Sequence, residues 1–181
     1  MTAGRPSEAW SWVLCAVYSL ALWAFVPFGR GVILALTQRH LTGVVVTLIY
    51  LVTILLAGLY VVFNVRLSDV VAFLALAVVA AATGAMALGL SIAEERVHFV
   101  EYGLLALLFR RALSFRRGPA AQYVLAWILA SAVGWGDEAI QLVVPNRYYD
   151  LRDVAMNAVG AFLALVADEV VHNRLRWRGR A

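Results

Sequence analysis

Residues 42–63, TGVVVTLIYLVTILLAGLYVVF, run for the length of a bilayer crossing without one charged side chain. About 20 apolar residues in helical form reach across a membrane's hydrocarbon core, so this run predicts a spanning helix. Five further segments repeat the pattern, at about 10–28, 69–90, 95–113, 120–143 and 152–172. With 64% hydrophobic and 14% charged residues in 181, the chain reads as one all-α, polytopic membrane helical bundle of about six transmembrane helices. Connections are short, and neither an internal repeat nor a low-complexity linker interrupts them.

The first segment is rich in Trp and is expected to end at Pro27. It is too long for a signal-peptide core and no small-x-small cleavage pattern follows, so it is read as the first membrane helix. The third carries Gly84 and Gly89, which permit close helix contact. These three segments hold no clustered polar chemistry and are expected to be lipid-facing scaffold. The fourth is polar in its first half, and the fifth opens with Pro119, suited to a helix start. The single cysteine, Cys15, forms no intramolecular disulfide.

All 15 basic residues are arginine, and the net charge is +4. They gather at helix ends, where positive-inside bias and anionic lipid account for them, so nucleic acid is set aside as a partner. With both termini cytoplasmic, Arg5, Arg66, Arg110, Arg111, Arg116, Arg117, Arg174, Arg176, Arg178 and Arg180 fall inside. Arg30, Arg39, Arg96, Arg147 and Arg152 then fall outside. In that arrangement the start of the fourth helix, the end of the fifth and the start of the sixth share the outer side.

Those three ends carry most of the polar side chains. In EERVHFVEY, Glu94, His98, Glu101 and Tyr102 stand at i, i+4, i+7 and i+8, one face of a helix. A histidine between carboxylates suits a general acid or base; equally, it suits a hydrogen bond to a neighbouring helix. Residues 134–160 add Asp137, Glu138, Gln141, Arg147, Asp150, Arg152, Asp153 and Asn157 between two apolar runs, with Pro145 parting two helices. Ionisable groups at a membrane boundary are costly to desolvate and mark functional sites.

Arg147 suits phosphate or carboxylate oxygens, or alternatively a pair with Asp150 or Asp153. Asp153 and Asn157 read either as site residues or as a helix cap and an interhelical hydrogen bond. His98, Glu101, Asp137, Asp153 and Asn157 would suit Mg²⁺, Mn²⁺ or Ca²⁺ better than structural zinc, but no HxxxH or CxxC spacing supports a site, and no metal ligand is assigned. His40 and His172 are assigned nothing. Asp168 and Glu169 are expected to be solvated or paired with Arg174.

At these positions the chain resembles the VanZ-like family of bacterial membrane proteins. The resemblance rests on E-x-x-H-F-x-E-Y (Glu95, His98, Phe99, Glu101, Tyr102), D-E-x-x-Q-x-x-x-P-x-R (Asp137, Glu138, Gln141, Pro145, Arg147) and D-x-x-x-N-x-x-G (Asp153, Asn157, Gly160), in that order. It covers roughly residues 69–172. It implies a four-helix VanZ-like core there, an N-terminal two-helix addition at 1–68 and a basic cytoplasmic tail at 173–181. Tyr148, Tyr149 and Asp150 depart from the small residues usual after the arginine.

The resemblance further implies an enzyme of the bacterial cytoplasmic membrane, C-terminus inside. It would cleave or exchange a phospho-linked headgroup of a phospholipid or polyprenyl-linked wall precursor at the outer face. His98, Glu101, Asp137, Glu138 and Asp153 are the catalytic candidates. Gln141, Arg147, Asn157 and Tyr102 are the substrate-binding ones. The expected partners are membrane lipids. Alternatives are a non-catalytic accessory subunit of a larger membrane complex, or a wall-precursor binder linked to glycopeptide resistance.

Overall fold

A computed structural model describes residues 7–64, 69–90, 94–145 and 147–178, with side chains left aside at 64, 94 and 173–178. Arg5, Arg66 and Arg180 lie outside the described residues, as do the side chains of Glu94, Arg174, Arg176 and Arg178. The order is α1 (Glu8–Gln38), α2 (Thr42–Asn64), α3 (Val70–Gly89), a 3-10 turn (Glu94–Arg96), α4 (Val97–Leu113), α5 (Pro119–Gln141) and α6 (Leu151–Arg178). No strand occurs among the described residues. Among the described residues, four helices, α1, α2, α3 and α6, are long and apolar enough to cross a membrane.

Local signals set the helix ends. The Ser7 hydroxyl accepts from the Trp10 amide, Asp69 Oδ1 accepts from the Ala72 amide at 3.1 Å, and Pro119 occupies the first turn of α5. Helix α1 departs from expectation. It passes through Pro27 and runs 31 residues to Gln38. An internal proline costs a helix about 3 kcal/mol. Ending the helix within hydrocarbon would instead leave several backbone groups unpaired, at several kcal/mol each. The actual end is a Schellman motif: Leu41 N–H donates to the Leu36 carbonyl and His40 N–H to that of Thr37, with His40 at φ 57°.

Helix α4 is the axis of the bundle. Its Tyr102, Leu105, Ala106, Phe109 and Ala112 are buried against Ala126 and Ala130 of α5, Ala161 and Leu165 of α6, and Cys15 of α1. Small residues permit that closeness. A Cβ on Gly160 would stand 2.8 Å from the Phe99 Cα, so α6 and α4 meet backbone to backbone. Indole N–H groups bridge further helices, from Trp23 to the Val133 carbonyl at 3.0 Å and from Trp127 to that of Ala158 at 2.9 Å.

Helix α1 is therefore more than lipid-facing scaffold. Ser11, Cys15, Ser19, Val26 and Gly29 form a buried face that is small enough to approach α4 and α5. At the end of the bundle away from the polar cluster, Asp168 also differs from expectation. It is buried, with Arg110 Nε 2.9 Å from Oδ2 and Arg110 Nη2 donating to Oδ1 at 3.2 Å. Tyr123 donates its hydroxyl to Oδ2 at 2.8 Å, and His172 Nδ1 stands 3.3 Å from Oδ1. Asp168 faces α4 and α5, so Arg110 reaches it across the bundle.

Candidate functional site

Two chain reversals bring the start of α4, the end of α5 and the start of α6 to one end of the bundle. The C-terminal half of α1 and the beginning of α2 close the remaining side. Between them lies a cavity of about 590 Å³. Seven of the nine residues singled out from the sequence line it: His98, Glu101 and Tyr102 from α4, Asp137 and Gln141 from α5, Arg147 from the connecting loop, and Asp153 from α6.

The other two stand behind the wall. Glu138 is fully buried; its Oε1 accepts from Gln141 Nε2 at 2.6 Å and its Oε2 from the Asp150 amide at 3.1 Å. One carboxylate thus aims Gln141 and fixes the loop that carries Arg147. Asn157 is fully buried too, its Nδ2 donating to the Gly134 carbonyl at 3.5 Å across the α5–α6 contact. The cap of α6 is made by Asp150, whose Oδ1 accepts from the Arg152 amide at 2.7 Å, rather than by Asp153.

On α4, the His98 and Tyr102 rings stack at 6.1 Å, and His98 Nδ1 lies 3.7 Å from Glu101 Oε2. That separation orients a charge without being a hydrogen bond. Tyr102 places its hydroxyl beside the Asp137 carboxylate. Arg147 crosses to α1, where Nη2 donates to the Val26 carbonyl at 3.3 Å and lies over Gly29. It makes no ion pair with Asp150 or Asp153.

Several buried polar atoms here have no hydrogen-bond partner among the described residues: His98 Nδ1, Arg147 Nε, Asp153 Oδ1 and Glu95 Oε2. Each such group costs about 1–3 kcal/mol in a folded protein. All four belong to residues lining the same cavity. A base, an anion-binding fork and two acceptors thus converge on one space. Among the described residues, no three His, Cys, Asp or Glu side chains gather closely enough to hold a metal ion. His98, Glu101, Asp137, Asp153 and Asn157 do not form a cation cage.

Sequence reasoning assigned no role to Glu95 or to α1. Glu95 was visible as the first residue of the His98 motif. The contribution of α1 was hidden because backbone makes it: the Val26 carbonyl and the bare Cα of Gly29.

The VanZ/LLP1 family model matches residues 12–167, from the first turns of α1 into the second half of α6. An uncharacterized protein of Schizosaccharomyces pombe is 32% identical over 118 residues, 64% of this chain and 71% of that protein. No solved structure matches.

Proposed function

The chain belongs to the VanZ/LLP1 family, and we propose that it is a membrane enzyme that cleaves or exchanges a phospho-linked lipid headgroup at the outer membrane face. The observation that carries this reading is the convergence of His98, Asp153 and Arg147, each with a buried polar atom unpartnered, on one cavity beside a membrane-length helix.

In this reading Arg147 holds the non-bridging oxygens of the phosphate with the part of its fork not bound to Val26. His98, with Glu101 beside it, takes a proton from an attacking water or alcohol. The new O–P bond forms as the bond from phosphorus to the headgroup oxygen breaks. The leaving alcohol then takes the proton from His98, so none is gained or lost. Asp137 and Asp153 orient the nucleophile, and Tyr102 orients Asp137. Glu138 and Asn157 act as positioning residues, the first through Gln141 and the Asp150 amide, the second by holding α5 on α6. No step is routed through a cation.

The test is lipid mass spectrometry on purified wild type and His98→Ala incubated with extracted membrane lipids. A shortened or exchanged headgroup made by wild type alone is the expected result. Equal turnover by His98→Ala overturns the role of His98. Absence of product from both overturns the enzyme. Retained lipid without product would then indicate a binder, and other proteins co-purifying in fixed stoichiometry an accessory subunit.

A further inference from the structure

The two walls of the cavity differ chemically, the α1–α2 side being apolar apart from Arg30 and Thr42. Across from the polar residues of α4 to α6, α1 presents Leu22, Val26, Gly29, Ile33 and Leu36, a single helical face at spacings of three and four. Beside it, α2 presents Val46 and Ile49. From Leu22 to Leu36 this wall is about 21 Å long at 1.5 Å per residue. One leaflet of a bilayer holds only about 15 Å of hydrocarbon, half of a core of about 30 Å.

The apolar wall also outruns the polar one. Arg147 reaches α1 at Val26 and Gly29, so Ile33 and Leu36 lie up to about 10 Å farther along the helix. Tyr50 donates its hydroxyl to the Arg96 carbonyl at 2.7 Å, which sets Tyr50 level with the start of α4 and leaves residues 42–49 of α2 beyond it. The outward face of this hairpin, with Leu48 and Leu51 exposed and outside the cavity lining, suits bulk lipid. The inward face, with Ile33, Leu36 and Ile49 half-buried, looks across the cavity at charged groups. A water-soluble phosphate ester would satisfy one wall and leave the other wet. An amphiphile satisfies both.

We propose that the α1–α2 hairpin is a hydrocarbon-binding wall, and that the cavity takes a long-chain lipid phosphate with its phosphate on Arg147 and one chain along Ile33, Leu36 and Ile49. This rests on the reading of the polar wall as a phosphate site and adds where the hydrocarbon chain lies and that its length is read. The chain lies along the hairpin, and the headgroup lies against α4, α5 and α6. Bulk on the inward face of the hairpin shortens the chain that fits; bulk on its outward face does not.

The experiment measures binding to the full-length protein in detergent by native mass spectrometry, with oleoyl and hexanoyl lysophosphatidate and glycerol 3-phosphate as probes. Wild type is expected to prefer the oleoyl over the hexanoyl form by about tenfold or more, as burial of added methylenes predicts. Ile49→Trp fills the wall and is expected to abolish that preference, whereas Leu48→Trp, exposed and outside the cavity lining, retains it. Ile33→Phe reads the same wall should Ile49→Trp not fold. Equal binding of the three probes, binding of none, or a preference that the inward substitutions leave intact overturns the proposal. Chain-dependent binding without any headgroup product would preserve it and end the enzyme reading. Headgroup turnover indifferent to chain length would do the reverse.

Discussion

Arg147 is held by backbone and not by acid, and that choice of partner keeps its charge available. The Val26 carbonyl engages Nη2 at 3.3 Å, while Nε is buried without a partner among the described residues. A lysine would keep the charge and lose the planar fork that grips two oxygens at once. Arg147→Lys is therefore expected to lower headgroup turnover about 10²-fold, the scale of losing one preorganised donor, and a rate within threefold of wild type would overturn the role. Gly160 works through space alone. Its absent Cβ would stand 2.8 Å from the Phe99 Cα, a backbone atom that cannot swing aside. Gly160→Ala is expected to destabilise by about 1–3 kcal/mol, read as thermal unfolding in detergent; an unchanged melting temperature would mean that α4 and α6 do not meet as described. Both residues were visible in the spaced motifs. What each touches was not, because neither partner, the Val26 carbonyl nor the Phe99 backbone, has a side-chain signature.

The helices divide by how well periodicity and charge betray them. Six apolar runs announce six helices, and the alternation of their ends alone places His98, Asp137 and Asp153 at one end of the bundle, where they line one cavity. Two elements were misjudged for physical reasons. Pro27 signals a helix end in water, but within hydrocarbon the unpaired carbonyls of a broken helix cost more than the one missing N–H, and α1 continues to Gln38. Asp168 looked like a solvated residue near a helix end because sequence distance conceals Arg110, 58 positions away and 2.9 Å from it. That pair joins α4 to α6 where Asp168 is buried and Arg110 is largely covered. Removing one partner strands the other, so Asp168→Asn is expected to cost about 3–5 kcal/mol. Arg110→Met combined with Asp168→Leu should recover much of that loss, as apolar replacement of buried pairs does elsewhere. A double variant no more stable than the single one would show that Tyr123 and His172 carry the joint instead.

Across the whole molecule, polarity is sorted by end and by side. One end holds the polar cavity, and the other holds the Asp168 cluster and the ion pair between Glu8 and Arg116. Helices α2 and α3 expose large aliphatic side chains such as Ile54, Leu56 and Val78 over most of their surface. In water such a surface would drive aggregation; in a bilayer it needs no cover. By the positive-inside bias the arginine-rich turn between α4 and α5 is expected on the cytoplasmic side, and the cavity is then expected at the outer face. This orientation is open to direct measurement because the lone cysteine, Cys15, is buried and can be removed without exposing a new thiol. In a Cys15→Ala background, His40→Cys and Tyr148→Cys are expected to react with a membrane-impermeant maleimide on intact cells, and Gly118→Cys only after lysis. Labelling of residues 40 and 148 from opposite sides would break the six-helix arrangement. Labelling of both only after lysis would keep the bundle and turn its cavity inward, toward lipids and soluble phosphates of the cytoplasm, which would remove wall precursors of the outer surface from the substrates the site can reach.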